Sequence, residues 1–244
     1  RGMALDTIEL AGRPAEVHTP HGWRRDQPTV LYLHGGGYAV CSPATHRDLI
    51  SRLTQASGAR SIALDYRLAP ESPYPAALQD VLAAVSALSE DSVPPTQLWL
   101  AGDSAGGGLA IATLLSLRDQ GRPMPAGALL LSPWVDLTEA GLSSELDNPH
   151  DYLSSGLLQI FRNHYTHEGA SQDPLISPVL ADLTGLPPLY IQAGGAEIFR
   201  PQIQRFADRA RAAGVPVVLE VSAGMLHVYQ AMAVFLPEAR EALR

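Results

Sequence analysis

A serine with the spacing of a catalytic nucleophile lies near the middle of the chain. Residues 102–106 read GDSAG, so Ser104 stands two residues from a glycine on each side, after an apolar run and before a helical pattern. At a very tight strand-to-helix turn the backbone of a serine is strained and its hydroxyl is exposed. The free N–H groups at the start of the helix stabilise negative charge. The pattern predicts that Ser104 is a nucleophile. The alternative is a glycine-rich turn whose serine has no catalytic role.

A glycine cluster lies earlier in the chain. Residues 34–38 read HGGGY and directly follow an apolar run at 30–33. Three glycines leave backbone N–H groups unshielded and able to point at one oxygen, as an oxyanion hole for a tetrahedral intermediate requires. A phosphate loop or a flexible turn is the alternative, but a phosphate loop is expected to open a helix and to carry a lysine. We interpret His34 as a structural histidine, since it lies on the wrong side of the glycines.

A nucleophilic serine needs a base, and the base needs a carboxylate that orients it. On a fold with this type of turn the chain order is serine, then acid, then histidine. His227 follows the last apolar run and lies in a turn at 224–227, so it is the candidate base; the alternative is a loop histidine with a structural role. The histidines that come too early for this order are His46, His150, His164 and His167.

The candidate acid is Glu197. It is the only acidic residue between the apolar run at 189–192 and the following helical pattern. Asp182 lies ahead of that run, and Asp208 lies inside the helix. The alternative is that Glu197 caps the helix N-terminus and that another acid orients the base.

The elements that must position these groups alternate along the chain. Short apolar runs bounded by turns are separated by segments with helical spacing, which predicts an α/β fold with a mostly parallel sheet covered by helices on both faces. The alternation of strands and helices is interrupted at about 139–172. We therefore expect one domain, 1–244, in which the segment at 139–172 is an insertion over one end of the sheet. Eight strands are predicted, at 7–10, 15–19, 30–33, 61–64, 98–101, 128–131, 189–192 and 217–221.

Composition excludes several mechanisms. The 244-residue chain has 17 arginines, no lysine and a formal net charge of −8. Without lysine, Schiff-base chemistry, a P-loop and a serine–lysine pair are excluded. The excess of acidic over basic residues argues against a nucleic-acid partner, because a phosphate backbone binds to a positively charged surface. A single cysteine, Cys41, rules out an intramolecular disulfide. His164 and His167 are three residues apart and could form a metal-binding pair, but they lack a third ligand in register, so no metal is expected.

The chain has no apolar run near the roughly 18 residues that span a bilayer, and no signal-peptide pattern. We therefore expect no membrane span and a cytoplasmic location, with secretion left open. The chain starts with Arg1 instead of methionine.

Five motifs in this order resemble the hormone-sensitive-lipase family of carboxylesterases, the bacterial family IV esterases within the α/β-hydrolases. The resemblance covers the chain from about residue 30 to the C-terminus. It implies an α/β-hydrolase fold and a serine carboxylesterase that hydrolyses short- to medium-chain acyl esters through an acyl-enzyme intermediate, with no cofactor. The motifs are HGGGY at 34–38, DYRLAPE at 65–71, GDSAGG at 102–107, SPWVDLT at 132–138 and the turn at 224–227.

The resemblance also implies roles for particular residues. The segment at 139–172 would be part of a cap over the pocket, and DYRLAPE would brace the oxyanion loop, with Arg67 paired to Glu71. An edge strand at 217–221 would pair in a homodimer. The implied oxyanion donors are the N–H groups of Gly36, Gly37 and Ala105. Candidate pocket residues are Tyr38, Trp134 and Leu226, with Tyr152 and Phe161 also considered.

Two departures from the family pattern stand out. Residues 197–201 read EIFRP where family members commonly have D-x-L-x-D. Glutamate can orient an imidazole as aspartate does, and a subgroup that resembles this chain carries glutamate there. Family members also usually have N-terminal helices that help form the cap. We expect that such a segment is missing or disordered here, which would leave the pocket more open.

Three other functions deserve comparison. A lactone hydrolase would use the same triad and differ in pocket shape, so turnover of a cyclic ester against its open-chain analogue separates the two. A non-catalytic receptor on this fold would lack the histidine that His227 supplies. A peptidase on this fold usually carries large extra domains.

Overall fold

The computed structural model describes residues 2–91, 93–142, 150–167 and 169–244. Within them, strands and helices alternate as the sequence predicts. The strands are β1 (Met3–Leu10), β2 (Arg13–Pro20), β3 (Thr29–Leu33), β4 (Arg60–Leu64), β5 (Leu98–Asp103), β6 (Gly127–Leu131), β7 (Leu189–Gly194) and β8 (Val217–Ser222). The helices are α1 (Arg47–Ser57), α2 (Ala76–Glu90), α3 (Ala105–Asp119), α4 (Glu139–Leu142), α5 (Ser155–Tyr165), α6 (Arg200–Ala212) and α7 (Pro237–Ala242).

The eight strands form one sheet in the order β1-β2-β4-β3-β5-β6-β7-β8. The pairs β1–β2 and β2–β4 are antiparallel, and every pair from β4 to β8 is parallel. The parallel strands all end at one edge, where the loops that follow β3, β5, β6 and β7 meet. The predicted α/β fold is confirmed, and its topology brings the predicted chemical groups to that edge.

A hydrophobic cluster covers each face of the sheet. Strand β3 shows why its sequence is a continuous apolar run: Leu31 and Leu33 belong to one cluster, whereas Tyr32 belongs to the other. Because successive side chains of a strand point to opposite faces, both must be buried when helices cover both faces. Helices α2, α3 and α6 supply the first cluster, and α1 and α7 supply the second.

The insertion predicted at 139–172 includes residues 143–149 and 168, which lie outside the described residues. Its main described element is α5, which begins at Ser155 because Ser154 caps it and accepts the N–H of Leu157. Tyr165, the last residue of α5, is buried, and its ring stacks on Tyr38 with 3.7 Å between centroids. This contact attaches α5 to the body of the fold.

The DYRLAPE segment lies directly behind the glycine loop. The Tyr66 hydroxyl donates to the carbonyl of His34 at 2.6 Å, and the N–H of Ala69 donates to the carbonyl of Tyr38 at 2.8 Å. These contacts hold both ends of HGGGY against the segment at 65–71.

The expected pair between Arg67 and Glu71 is wrong. The Arg67 guanidinium donates to Oδ1 of Asp80 in α2 at 2.6 and 2.9 Å, and its backbone N–H donates to Oδ2 at 2.9 Å. Asp80 is buried, so its charge must be paired, whereas Glu71 is exposed and gains little from a partner. The arginine therefore joins the segment to α2.

Among the described residues, no helix has the length and apolar character that crossing a membrane requires.

Candidate active site

Ser104 forms the turn between β5 and α3. Its φ of +52° lies in the left-handed region, which is uncommon for a residue with a side chain. Its N–H donates to the carbonyl of Leu131, and its carbonyl accepts the N–H of Trp134, each at 2.9 Å. Both bonds run to the end of β6 and the loop after it, so the neighbouring strand holds the strained turn in place.

The glycines around Ser104 are required by close backbone contacts. A Cβ added to Gly106 would lie 2.0 Å from the carbonyl oxygen of Leu33 and 2.6 Å from that of His34. A Cβ on Gly102 would lie 2.5 Å from the carbonyl carbon of Gly106. Helix α3 can therefore start directly against the end of β3 only because these residues lack side chains.

The glycine loop passes beside the serine. Gly36 and Gly37 have φ values of +115° and +61°, and both line the cavity that Ser104 lines. None of the hydrogen bonds found among the described residues uses the N–H of Gly36 or Gly37. Ala105 is the first residue of α3, so its N–H has no acceptor within the helix. The loop and the helix start thus present unused donors near one serine.

Asp103 fastens the glycine loop to the serine turn, a role that the sequence analysis missed. Its Oδ1 accepts the N–H of Gly35 at 3.0 Å and the hydroxyl of Tyr32 at 2.7 Å, and its Oδ2 lies 3.3 Å from Nε2 of His46. Burial by itself would raise the pKa of Asp103, but the charge and hydrogen bond of His46, with the Tyr32 hydroxyl, bring it below its usual value. The carboxylate is thus kept charged next to Ser104.

His227 and Glu197 meet at the same edge of the sheet. His227 lines the cavity with Ser104, and Glu197 is fully buried after β7. The distance from Nδ1 of His227 to Oε2 of Glu197 is 3.9 Å, which is longer than a hydrogen bond. Nδ1 of His227 and Oε1 of Glu197 are buried and have no hydrogen-bond partner among the described residues. A closure of about 1 Å would form the bond, as catalytic hydrogen bonds often do when substrate binds.

Burial shifts the two groups in opposite directions. It raises the pKa of Glu197 and lowers the pKa of His227, because neither charged form is solvated by water. The hydroxyl of Ser132 and the N–H of Gly194, which both donate to Oε2 of Glu197, oppose the rise by favouring the carboxylate. A neutral His227 is the form that can accept a proton from a serine hydroxyl.

The cavity beside Ser104 has a volume of about 280 Å³ and a mostly apolar wall. Trp134, Tyr152 and Phe161 line it, whereas Tyr38 and Leu226 are not among its lining residues. Tyr38 is buried in the core against Tyr165, and Leu226 is half-buried in the turn before His227. Helix α5 lines one side of the cavity with Leu157, Leu158 and Phe161.

The remaining candidate histidines have other surroundings. His34 is buried, stacks on Tyr66 at 4.4 Å between centroids, and lies with Nδ1 2.7 Å from the carbonyl of Gly35. Its ring therefore belongs to the packing behind the glycine loop. His164 and His167 are exposed. Over the described ranges, no three histidine, cysteine, aspartate or glutamate side chains are grouped to hold a metal ion.

Comparison with known proteins identifies the family. A family model described as "alpha/beta hydrolase fold" matches residues 30–231. An acetyl-hydrolase of Streptomyces hygroscopicus is 45% identical over 221 residues, which cover 90% of this chain and 74% of that protein. An esterase of Acinetobacter venetianus is 37% identical over 216 residues, which cover 88% of this chain and 71% of that protein.

Solved structures agree with these relatives. The crystal structure of an esterase from the bacterial hormone-sensitive lipase family matches 99% of this chain and 81% of its own, with a TM-score of 0.94 and 41% identity. A hormone-sensitive lipase from a metagenome library matches with a TM-score of 0.94 and 40% identity, over 100% of this chain and 82% of its own. The chain therefore belongs to the hormone-sensitive-lipase family of α/β-hydrolases, and it is a carboxylic ester hydrolase.

Proposed function

We propose that this ester hydrolase uses Ser104 as nucleophile, His227 as base and Glu197 as the acid that orients His227. The observation that carries the proposal is one cavity lined by both Ser104, on a strained turn, and His227, with Glu197 buried 3.9 Å from the imidazole. Serine, acid and histidine also occur in the chain order that this fold uses.

The reaction then runs in two halves. In the first, His227 takes the proton of Ser104 as Oγ attacks the ester carbonyl, and the resulting imidazolium is stabilised by Glu197. His227 returns the proton to the leaving alcohol, which departs and leaves an acyl group on Ser104. In the second half, water attacks this acyl group with His227 again as base, and the carboxylic acid is released.

The developing oxyanion is held by the N–H groups of Gly36, Gly37 and Ala105. Support for these donors comes from the positive φ values of both glycines and from the position of Ala105 at the start of α3. Each preorganised donor of this kind contributes about 3 kcal/mol of transition-state stabilisation. The positive end of α3 adds to the stabilisation, since negative charge is favoured at a helix N-terminus.

The substrates are neutral acyl esters of short to medium chain length. Apart from the catalytic groups, the wall is largely apolar, which suits an uncharged acyl chain, and a volume of about 280 Å³ limits its length. The acetyl-hydrolase of Streptomyces hygroscopicus, by its name, acts on a short acyl group, which supports the same size class.

Covalent labelling tests the triad directly. A phenylmethanesulfonyl fluoride or fluorophosphonate probe is expected to modify the protein at one equivalent. Fragmentation of the labelled peptide should place the mass increase on Ser104, a step that is needed because residues 68–117 contain no arginine or lysine and include Ser116 as well. Inactivation should run in parallel with labelling, because the activated serine is the group that reacts. Ser116, a buried serine of α3, serves as the internal control and should stay unmodified. Labelling at another residue, with full loss of activity, would refute Ser104 as nucleophile.

Phe161 is expected to limit the acyl chain. Its ring lies so close to the glycine loop that a Cβ on Gly37 would come within 2.4 Å of it. Phe161→Ala removes this wall, so kcat/KM for p-nitrophenyl octanoate relative to butyrate should rise by about tenfold, the scale of one or two methylenes in a pocket. The measurement is a chain-length series of p-nitrophenyl esters.

The matched control for Phe161 is its neighbour in α5. Ile160 is more than half exposed and does not line the cavity, so Ile160→Ala should leave the chain-length ratio unchanged. An unchanged ratio in Phe161→Ala would show that another part of the wall sets chain length.

Three further features belong to the same proposal. The segment at 139–172 acts as a cap, supported by the α5 side chains that line the cavity. The chain forms a homodimer through β8, supported by the exposed Val218 and Val221 on that edge strand. The cytoplasmic location stays a prediction.

A further inference from the structure

One hydroxyl contacts both parts of the proposed acid–base pair. Ser132 follows β6 directly and is fully buried. Its Oγ donates to Oε2 of Glu197 at 2.5 Å and accepts the N–H of Val228 at 3.1 Å. Val228 is the residue after His227, so Ser132 joins the acid to the backbone that carries the base.

The two residues joined by the hydrogen bond from Val228 to Ser132 both have strained backbone. Ser132 has a φ of +47° and Val228 a φ of +45°. For a β-branched residue such as valine the left-handed region is a genuine outlier, so the surrounding structure must hold the residue there. The N–H of Ser132 donates to the carbonyl of Gln192 in β7 at 2.7 Å, which holds the serine in this conformation. The hydroxyl thus connects two strained residues that the surrounding sheet keeps in place.

Ser132 is also the main side-chain donor to the acid. Oε2 of Glu197 accepts the Ser132 hydroxyl and the N–H of Gly194. The charged and titratable groups that face Glu197 are Asp151, whose charge raises its pKa, Arg200, whose charge lowers it, His227, and the phenols of Tyr152 and Tyr229. Burial raises the pKa most, and the Ser132 hydroxyl is the strongest influence that lowers it.

We propose that Ser132 is a positioning residue that orients Glu197 toward His227 and holds the turn on which His227 stands. This inference rests on the proposed function of the triad. Ser132 touches neither substrate nor reacting atoms and does not line the cavity; it acts through the acid it bonds and the turn it anchors. Its effect should therefore appear in kcat more than in KM.

The expected pH effect has a definite sign. Burial raises the pKa of Glu197, and Glu197 lies close enough to His227 for the two groups to titrate as a coupled pair, whose first protonation as the pH falls ends the active form. Removing the hydroxyl removes a hydrogen bond that favours the carboxylate, so the pKa of Glu197 rises further. The acid limb of kcat/KM, which reports groups of the free enzyme, then moves to higher pH.

The test is steady-state kinetics of Ser132→Ala with p-nitrophenyl butyrate between pH 5 and pH 10. We expect kcat to fall about 10- to 100-fold, as for other supporting hydrogen bonds, with KM within about twofold of the wild type. The acid limb should move to higher pH. Ser132→Gly separates the hydroxyl from the backbone, since glycine adopts positive φ at little cost. It should fold at least as well as Ser132→Ala and show the same kinetic loss.

Ser177→Ala is the matched control. Ser177 is fully buried, and its hydroxyl also makes one donated and one accepted hydrogen bond, in this case both to backbone groups: it donates to the carbonyl of Ser171 at 2.7 Å and accepts the N–H of Leu137 at 2.9 Å. Ser177→Ala should lower the melting temperature by about as much as Ser132→Ala does, with kcat and the acid limb of the kcat/KM profile unchanged.

Several outcomes would overturn the inference. The first is an unchanged kcat in Ser132→Ala. The second is a fall in kcat in Ser132→Ala without a shift of the acid limb. The third is a fall in kcat in Ser177→Ala as large as that in Ser132→Ala. Recovery of wild-type kcat in Ser132→Gly would show that backbone strain, not the hydroxyl, was responsible. Failure of the triad itself is recognised separately, because Ser104→Ala would then stay active.

Discussion

Replacing Ser104 by alanine is expected to abolish ester turnover and leave the fold intact. The substitution keeps Cβ, so the cost of the left-handed φ of +52° is the same in both proteins. What is lost is the hydroxyl that we propose forms the acyl-enzyme. Removal of the nucleophile in a triad lowers kcat by a factor of about 10⁶, and the activity that remains comes from the oxyanion donors and from substrate binding.

The measurement is hydrolysis of p-nitrophenyl acetate and butyrate by purified wild type and variant, with melting curves by circular dichroism. Ser116→Ala is the control: it removes a buried serine that lies inside α3 and should keep wild-type rates. A folded Ser104→Ala protein with more than about one hundredth of wild-type kcat would disprove the assignment, because no oxyanion hole sustains that rate without a nucleophile.

Gly106→Ala is expected to have the largest effect on stability. The new Cβ would lie 2.0 Å from the carbonyl oxygen of Leu33, and this oxygen is backbone that no side-chain rotation can move. Moving it would disturb the parallel pairing of Leu33 with Gly102 between β3 and β5. Overpacking of ordinary side chains costs about 1–3 kcal/mol, so a clash with backbone should cost at least about 3 kcal/mol. The melting temperature should fall by roughly 10 °C, or the protein should fail to fold.

The chain offers a matched control for this substitution. Gly156 is also near the start of a helix, α5, but a Cβ there meets no atom within 4 Å, and its φ is not positive. Gly156→Ala should therefore stabilise the protein by about 0.5–1 kcal/mol, since alanine loses less backbone entropy than glycine. Similar melting shifts in the two variants would mean that close packing at Gly106 is not what makes glycine necessary there.

The sequence predicted all eight strands with bounds that the structure extends by four residues at most. Strands such as β3 and β6 are buried on both faces, and an apolar run bounded by turn residues is the pattern that such burial produces. The ends were less well predicted because polar residues continue the backbone pairing. Asp6 and Arg13, for example, lie in the β1–β2 ladder, although neither was assigned to a strand.

In the candidate site, too, some residues were easier to predict from the sequence than others. Ser104, Gly36 and Gly37 belong to short motifs whose glycines are needed locally, so their place in the chain indicated their place in the fold. Glu197 and His227 were chosen by chain order, and the structure brings them to 3.9 Å. Pocket residues were harder to predict: Phe161, in the insertion, lines the cavity, whereas Tyr38, which belongs to the HGGGY motif, does not.

By itself, the sequence determined the family, the α/β sheet and the motifs that carry the chemistry, because apolar periodicity and glycine spacing are local properties. Only the tertiary structure decided that Asp80 pairs with Arg67, that Asp103 fastens the glycine loop, and that Ser132 bridges Glu197 and Val228. The residues in each of the last two contacts are more than 60 positions apart in the chain. The physical reason is that a buried charge or hydroxyl takes whichever partner the packed strands and helices bring to it, and spacing along the chain carries no record of that choice.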